Sequence, residues 1–290
     1  MKSSLSVGFG TVALLALSIP AWAATVSFTD FSTTAGLQLS GNAGITTSPD
    51  GAVLRLTPAS DHQVGGAFIT STNASNSASK AFSTFFQFRI GSPGGQGPAD
   101  GFAFVLQPNA GSLGSNGGGL GYQGLPNSVA VEFDTYFNLF DTDNNHIAVL
   151  SSGLMVDHAS FTPGGVSNCD SPTGVPNCLA NGKLWSAWID YDGTTLGVAV
   201  SEGVSLRPAN AINFDIDIPS IVGSGTTFAG FTAATGAGYE SHDIISWQYN
   251  NQFEPLNSAP EPTGWVLMSL GLLVWAVRYA MKARPYQPRQ

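Results

Sequence analysis

One segment of the chain, residues 131–147, gathers oxygen and nitrogen donors at a spacing suited to metal binding. Glu132 and Asp134 are two residues apart and follow an apolar run. On a β-strand, both carboxylates would therefore project from the same face. Two like charges on one face are unfavourable unless a cation lies between them. Because carboxylate oxygens suit calcium and an imidazole favours a transition metal, the segment predicts a two-metal site with three further donors: Asn138, Asp141 and His146.

Short strand-like runs must position these donors, and they account for much of the chain. Apolar and polar residues alternate in several of these runs, and turn residues separate them. The predicted strands are 26–31, 52–57, 82–90, 101–107, 128–136, 146–152, 184–192, 195–201, 228–234 and 244–250. Two of them flank Gly193 and predict a β-hairpin. The pattern favours an all-β fold, an antiparallel sandwich.

The first 23 residues have the layout of a secretory signal peptide. Lys2 precedes an apolar stretch at residues 12–19, and the small residues Ala21 and Ala23 follow it. The alternative is a transmembrane anchor, but the apolar stretch is shorter than the roughly 20 residues that a span needs. The sequence therefore predicts export, with cleavage after Ala23.

The C-terminal residues combine three features of a sorting signal. A Pro-Glu-Pro tripeptide at 260–262 precedes an apolar run at 265–277, and a basic tail follows. These features resemble the PEP-CTERM signal of Gram-negative bacteria that make exopolysaccharide. The resemblance implies recognition by sorting machinery at the inner membrane, cleavage near the tripeptide, and release or attachment at the cell surface. The alternative is a permanent anchor whose basic tail stays in the cytoplasm.

Residues 24–253 predict one domain, because no proline-rich or serine-rich linker divides them. Residues 254–263 form a linker that contains the tripeptide, and residues 264–290 form the hydrophobic span and tail. All 19 acidic side chains lie before the span, but the body contains only five basic side chains. This acidic balance excludes nucleic acid as an expected partner.

The chain has two cysteines, Cys169 and Cys178, at the ends of a loop that contains proline and glycine. In an exported chain, an even pair at this spacing predicts a local disulfide. A metal role would need further soft ligands nearby, and the surrounding sequence offers none.

The body as a whole resembles a legume-type (L-type) lectin. The matching segments keep their order: VSFTDF at 26–31, PADGFAFVLQP at 98–108, GGGLGY at 117–122, VAVEFDTYFN at 129–138, WIDYDG at 188–193, GFTAATG at 230–236 and ESHDIISW at 240–247. The resemblance implies a concanavalin-like jelly-roll of antiparallel sheets. It also implies a secreted or cell-surface protein that binds carbohydrate and is not an enzyme.

The resemblance assigns ligands to two ions. Calcium (Ca2+) would bind Asp134, Asn138, Asp141 and the backbone carbonyl of Tyr136. Manganese (Mn2+) or another transition metal would bind Glu132, Asp134, Asp141 and His146, so that two aspartates bridge the ions. The connection from Asn138 to Asp141 is shorter than in typical plant lectins, which makes Asp143 an alternative to Asp141. The distance from Asp141 to His146 fits the family pattern.

The resemblance also assigns four sugar contacts: Asp100, Gly118, Tyr136 and Asn138. Asp100 and Asn138 would offer an acceptor and an amide donor to adjacent hydroxyls, and Tyr136 would offer a flat face to the sugar ring. Three further residues correspond to the specificity loop: Ala237, Gly238 and Tyr239. In this family the peptide before the aspartate is cis and depends on the calcium site. Ala99–Asp100 is therefore expected to be cis, and metal loss is expected to abolish sugar binding.

A glycoside hydrolase on the same type of sandwich is the main alternative. Laminarinase-like enzymes carry a Glu-x-Asp-x-x-Glu strand motif, and Glu132 and Asp134 supply its first half. Phe137 stands at the final acid position, so the second carboxyl group of a retaining glycosidase is missing. A second alternative is a structural or adhesin module of the biofilm matrix that binds no sugar. The expected partners are exopolysaccharide or envelope glycans and, through edge-to-edge sheet pairing, a second copy in a homodimer.

Overall fold

The computed structural model describes residues 25–70, 80–203 and 206–256 of the 290-residue chain. The predicted signal peptide at residues 1–23 and the predicted span at residues 264–290 lie outside these ranges. Within them, no helix is both long enough and apolar enough to cross a membrane.

Fifteen strands run through the described residues, together with one short helix. The strands are β1 (Thr25–Phe28), β2 (Leu37–Gly41), β3 (Gly44–Ser48), β4 (Gly51–Thr57), β5 (Val64–Ile69), β6 (Phe82–Gly95), β7 (Gly101–Gln107), β8 (Val129–Asp134), β9 (His146–Ser151), β10 (Leu154–Phe161), β11 (Trp185–Tyr191), β12 (Thr195–Glu202), β13 (Ile212–Asp215), β14 (Phe228–Ala234) and β15 (Gly238–Asn250). Helix α1 (Ile218–Val222) and two 3₁₀ turns, Gly117–Gly119 and Pro163–Gly165, complete the regular structure of these ranges.

The strands form two antiparallel sheets. The eight-stranded sheet has the order β13-β12-β11-β6-β15-β4-β3, and β1 pairs with β15 beside this path. The seven-stranded sheet has the order β10-β9-β8-β7-β14-β5-β2. Strands that are neighbours in a sheet are often distant in the chain, as in a jelly-roll sandwich. The predicted all-β fold is therefore confirmed.

Aromatic side chains fill much of the space between the sheets. Phe86 of the eight-stranded sheet packs edge-on against Phe231 and Phe133 of the seven-stranded sheet, with ring centroids 4.9 and 5.7 Å apart. Trp247 contacts Phe231 with a centroid distance of 4.7 Å. Each such pair contributes about 0.5–1.5 kcal/mol beyond the burial of its area. This core holds the inner faces of the two sheets together.

Strand β8 divides its side chains between this core and the opposite face of the seven-stranded sheet. Val131 and Phe133 belong to the core. Because successive side chains of a strand alternate, Glu132 and Asp134 must point to the other face. Glu132 is nevertheless only 1% exposed and Asp134 is 0% exposed, so the surrounding loops cover that face. The fold therefore places two carboxylates side by side away from water.

All ten predicted strands are present, and several of their ends are shifted. The hairpin around Gly193 is confirmed by the ladder between β11 and β12. Strand β8 ends at Asp134 instead of residue 136, and β15 begins at Gly238 instead of residue 244. The sequence did not predict β2, β3, β5, β10 or β13, because these strands are short, rich in glycine or polar residues, or irregular in their alternation.

Candidate functional site

Two adjacent strands form the centre of the predicted metal cluster. In the ladder between β8 and β9, Asp134 is paired with His146, and Glu132 is paired with Ala148. Paired residues share one face of the sheet, so His146 joins both carboxylates. The His146 Nε2 atom lies 3.3 Å from Glu132 Oε1, and both side chains are buried.

A turn after β8 brings Asp141 back to this cluster. The Asn138 N–H donates a hydrogen bond to Asp141 Oδ2 at 2.5 Å, and the Asp141 N–H donates to the Asn138 carbonyl at 3.0 Å. One donor atom from each of Asp134, Asp141 and His146 lies within 4.8 Å of the other two. The structure therefore brings Asp141 into position to share an ion with both residues.

Asp143, the alternative to Asp141, makes different contacts. Its carboxylate accepts hydrogen bonds from the Asn145 N–H at 2.8 Å and from the Thr162 hydroxyl at 2.7 Å. Its backbone carbonyl lies 3.1 Å from His146 Nδ1. That contact orients the imidazole so that its other nitrogen faces Glu132. The geometry therefore favours Asp141 as the shared carboxylate and Asp143 as a residue that positions His146.

Asp157 of β10 joins the cluster, and the sequence did not predict this. One donor atom from each of Glu132, His146 and Asp157 lies within 4.8 Å of the other two. The Asp157 Oδ2 atom is 3.7 Å from His146 Nε2. Residues 154–161 were not predicted as a strand. Within them, the only signal in the sequence was the acidic residue Asp157 itself, whose neighbours Val156 and His158 are exposed.

The cluster concentrates negative charge away from solvent. Burial raises the pKa of Glu132 to about 7, although hydrogen bonding to His146 opposes this change. Burial and then the charges of Glu132 and Asp141 raise the pKa of Asp134 well above its usual value. Burial disfavours the charged ring of His146, but the hydrogen bond and charge of Glu132 and the charges of nearby aspartates raise its pKa to about 9.

Three buried carboxylate oxygens of the cluster have no hydrogen-bond partner within the described ranges: Glu132 Oε2, Asp134 Oδ2 and Asp157 Oδ2. Such atoms are nearly always satisfied in folded proteins. An ion bound at about 2.1–2.4 Å would have donors on opposite sides about 4.2–4.8 Å apart. In each donor group the three donor atoms lie within 4.8 Å of one another, which is close enough for one ion to contact all three. These residues therefore fit divalent metal ions.

Asp100 lies just before β7, next to the end of β8. The expected cis peptide between Ala99 and Asp100 is present. The Asp100 N–H donates to the Ala234 carbonyl at 3.2 Å, and the Asp100 carbonyl accepts from the Thr135 N–H at 3.0 Å. Asp100 is 4% exposed, and its Oδ2 atom has no partner among the described residues. Burial, followed by the charge of Glu240, raises the pKa of Asp100 to about 7.

Gly118 lies in the 3₁₀ turn Gly117–Gly119, directly against the amide of Asn138. A Cβ atom added at Gly118 would lie 2.5 Å from Asn138 Nδ2, so this close approach requires glycine. A Cβ atom added at Gly117 would lie 4.0 Å from Asp100 Oδ2. The structure therefore brings three of the four predicted sugar contacts, Asp100, Gly118 and Asn138, to one place.

The predicted specificity segment is divided between a loop and a strand. Ala237 lies in the loop, whereas Gly238 and Tyr239 begin β15 and pair with β6. The Tyr239 ring packs over two glycines of β6. Gly236 was not among the predicted residues, yet a Cβ atom added there would lie 3.2 Å from Asp100 Oδ2. The loop residue next to the candidate pocket is therefore Gly236.

A cleft of about 300 Å³ lies beside the turn that follows β8. It is lined by Gln96, Gly97, Pro98, Tyr136, Phe137, Asn144 and Asp170. The predicted disulfide between Cys169 and Cys178 is present, and Cys169 directly precedes the lining residue Asp170. The Cys169 N–H donates to Asn144 Oδ1 at 2.8 Å, and Asn144 Nδ2 donates to Asp170 Oδ1 at 2.7 Å. Tyr136, the fourth predicted sugar contact, therefore borders this cleft, which lies next to the candidate pocket formed by Asp100, Gly118 and Asn138.

A jelly-roll of two antiparallel sheets, with a buried cluster of carboxylates and one imidazole beneath a glycine-rich turn, defines a lectin-type sandwich domain. The legume lectin domain profile matches residues 23–264. The chain belongs to the legume lectin family.

Its relatives include receptor kinases of plants. The L-type lectin-domain containing receptor kinase VIII.1 of Arabidopsis thaliana is 33% identical over 254 residues, which cover 79% of this chain and 32% of that protein. The kinase S.7 of Oryza sativa subsp. japonica is 34% identical over 216 residues, which cover 68% of this chain and 28% of that protein. The matched part therefore spans about a third of the length of these curated relatives.

Solved lectins match along nearly their whole length. The basic winged bean lectin with Tn-antigen has a TM-score of 0.60 and 26% identity, and the match covers 79% of this chain and 98% of that one. The winged bean acidic lectin complexed with methyl-α-D-galactose has a TM-score of 0.60 and 25% identity, with the same coverage.

Proposed function

We propose that the protein is a metal-dependent lectin whose sugar pocket contains Asp100, Gly118, Asn138 and Tyr136. One observation carries this proposal: a buried acceptor atom, Asp100 Oδ2, and a buried donor atom, Asn138 Nδ2, lack partners within the described residues and flank the same glycine turn. Adjacent sugar hydroxyls both donate and accept hydrogen bonds, so a pyranose would satisfy both atoms. The Gly118 N–H belongs to the same turn, whereas those of Gly117 and Gly119 already donate to the Thr235 and Asn116 carbonyls.

Bound metal would organise this pocket. Calcium at Asp134, Asn138, Asp141 and the Tyr136 carbonyl, with a transition metal at Glu132, Asp134, Asp141 and His146, would neutralise the buried carboxylates. The same ligands would fix the turn after β8, which carries two of the sugar contacts. Because the Thr135 N–H holds the Asp100 carbonyl, order in this turn would extend to the third contact.

Galactose-type sugars are the proposed ligand class. The two winged bean lectins with at least 25% identity were solved with Tn-antigen and with methyl-α-D-galactose. The cleft that begins at Tyr136 has room for a further sugar unit, and this favours a polymer over a free monosaccharide. Exopolysaccharide or envelope glycan is therefore the proposed partner.

We do not propose catalysis at this site. Phe137 stands where the related hydrolase motif has its final acid, and it is 51% exposed. Glu132 and Asp134 are buried among the other proposed metal ligands instead of facing the cleft. A retaining glycosidase needs two carboxyl groups about 5–5.5 Å apart on either side of the scissile bond. A carboxylate pair buried among metal ligands does not meet that requirement.

We also propose that the protein is exported and acts outside the cytoplasm of a Gram-negative bacterium. The disulfide between Cys169 and Cys178 supports maturation in an oxidising compartment. Residues 264–290 would hold the chain at the inner membrane until the sorting machinery acts, and edge-to-edge pairing of sheets would form a homodimer. Mass spectrometry of the mature protein would test whether both termini are removed.

The binding test compares three proteins: the wild type, Asp100→Asn and the control Asp30→Asn. Asp30 is exposed on the turn after β1, where asparagine can also accept the Ser32 N–H. With Ca2+ and Mn2+ present, a glycan array should show galactose-type ligands for the wild type and the control. Asp100→Asn should bind them at least tenfold more weakly. A wild type that binds no glycan would favour the structural module instead.

A further inference from the structure

Asp157 is absent from the ligand set that the resemblance assigns, yet it faces the same cluster. Its Oδ2 atom lies 3.7 Å from His146 Nε2, on the nitrogen that also faces Glu132 at 3.3 Å. One donor atom from each of the three residues lies within 4.8 Å of the other two. An ion placed among them would therefore have Glu132, His146 and Asp157 as neighbours at bonding distance.

An irregularity in β10 creates this position. Leu154 is paired with Ser151 and Ala159 with Val149, so three extra residues of β10 stand between these two pairs. A bulge of this kind redirects side chains that a regular ladder would place elsewhere. The Ser151 hydroxyl and His158 Nε2 lie 2.8 Å apart and tie the bulge to β9. The redirected side chain is that of Asp157, which is only 14% exposed.

Among the described residues, the basic side chain within ion-pair distance of Asp157 is that of His146, which Glu132 shares at a shorter distance. The Asp157 Oδ2 atom is buried and has no hydrogen-bond partner within the part of the chain that the structure describes. The arginine and lysine ion pairs in that part lie elsewhere: Arg55–Asp243, Arg89–Asp50, Lys183–Glu202 and Arg207–Asp190. A buried carboxylate without a partner is strongly unfavourable. The same carboxylate becomes favourable as a ligand of a cation.

The charges of the cluster support the same conclusion. Two divalent ions carry four positive charges, whereas the family ligands Glu132, Asp134 and Asp141 supply three negative ones. Asp157 supplies the fourth. With a neutral imidazole at His146, the complete set balances two divalent ions.

We propose that Asp157 is a direct carboxylate ligand of the ion held by Glu132 and His146. This inference rests on the metal sites of the proposed function and is independent of sugar binding. The ion would have five side-chain donors, four carboxylates and one imidazole, and thus space for one water in an octahedral shell. This oxygen-rich set suits Mn2+.

The test titrates Mn2+ alone and Ca2+ alone into chelator-treated protein by calorimetry. Asp157→Asn and Asp157→Ser remove the charged ligand, and Asp30→Asn removes one exposed carboxylate on the turn after β1 as a matched control. Both Asp157 variants should bind Mn2+ at least about tenfold more weakly than the wild type. Ca2+ affinity should stay within about threefold, and the control should match the wild type. Mn2+ affinity of Asp157→Asn within threefold of the wild type would overturn the proposal.

A second measurement needs no variant and decides the question if the Asp157 variants do not fold. Electron paramagnetic resonance of the Mn2+-loaded wild type in water enriched in oxygen-17 counts the water ligands of the ion. Direct ligation by Asp157 leaves at most one water. Two or more waters would overturn the proposal. Neither measurement uses a sugar, so failure of the Asp157 proposal can be distinguished from failure of the lectin proposal. A protein that binds no glycan could still have Asp157 as a Mn2+ ligand, and a confirmed lectin could still lack this ligand.

Discussion

The backbone N–H of Thr135 donates a hydrogen bond to the backbone carbonyl of Asp100 across 3.0 Å. Thr135 directly follows Asp134, and its hydroxyl donates to the buried carboxylate of Glu240. One residue therefore connects a proposed metal ligand, a proposed sugar ligand and the start of β15. Displacement of the turn after β8 would move Asp100 as well.

Metal removal should weaken sugar binding by more than tenfold, because Asp134, Asn138 and Asp141 would no longer be held by ions. The measurement is calorimetric titration of a galactoside before and after treatment with a chelator at pH 7. Addition of Ca2+ and Mn2+ should restore the affinity. Unchanged affinity in protein shown by elemental analysis to be metal-free would mean that the pocket forms without ions.

The substitution Gly118→Ala should reduce sugar affinity at least tenfold, because its Cβ atom would lie 2.5 Å from Asn138 Nδ2 and displace that amide. The free energy of unfolding should change by less than about 1 kcal/mol, since the clash is with the end of a side chain. Gly44→Ala is the matched control, because nothing lies within 4 Å of its Cβ position. Equal sugar affinity of the two variants would exclude Gly118 from the pocket.

The metal-free protein should become less stable as the pH rises from 5 to 9. The pKa of Glu132 and that of Asp100 are raised to about 7 from ordinary values of 4.5 and 3.8, chiefly by burial. Between these values the folded state binds more protons than the unfolded state, so its stability falls as pH rises.

The raised pKa of His146 also makes the metal-free protein less stable as the pH rises. Although burial opposes it, Glu132 raises the pKa of His146 from 6.5 to about 9, so its stabilising contribution is complete below pH 6.5 and is lost towards pH 9. In the presence of a chelator, the thermal midpoint should be higher at pH 5 than at pH 9. The metal-loaded protein should show the opposite trend, because protons compete with the ions for the same ligands. A chelated protein that gains stability with rising pH would contradict this assignment.

Removal of the disulfide by Cys169→Ser with Cys178→Ser should lower the free energy of unfolding by about 2–3 kcal/mol, the range expected for a short closed loop. Denaturant unfolding measures this change. Because Cys169 and Asp170 position the wall of the cleft, affinity for an oligosaccharide should fall more than affinity for a monosaccharide. Equal losses of affinity for the oligosaccharide and the monosaccharide would show that the cleft does not contribute to glycan binding.

The core of the candidate metal site was predictable because its donors are local in the sequence. Glu132 and Asp134 alternate with core residues of one strand, and Asn138, Asp141 and His146 follow within a single turn and the next strand. Alternation also revealed the strands with clear polar and apolar faces. It could not reveal β5, whose glycines contribute no side chains to a pattern.

Asp157 was not predictable in this way, because its position depends on a bulge in β10 and on the pairing of that strand with β9. The division of residues 237–239 between loop and strand was also hidden. It depends on the long strand β6, which continues to Gly95 and provides a partner for Gly238 and Tyr239. Local patterns contain no information about such pairings between distant segments.

The cleft beside Tyr136 has two walls that are stabilised by different chemistry. One wall belongs to the turn that carries the proposed metal ligands, and the other is tied by a covalent bond between sulfur atoms. In the proposed lectin the first wall would require divalent ions, whereas the second requires an oxidant, and neither could replace the other. The complete cleft would therefore form only where both conditions coincide, so a chain in a reducing compartment would lack the covalent tie of the second wall.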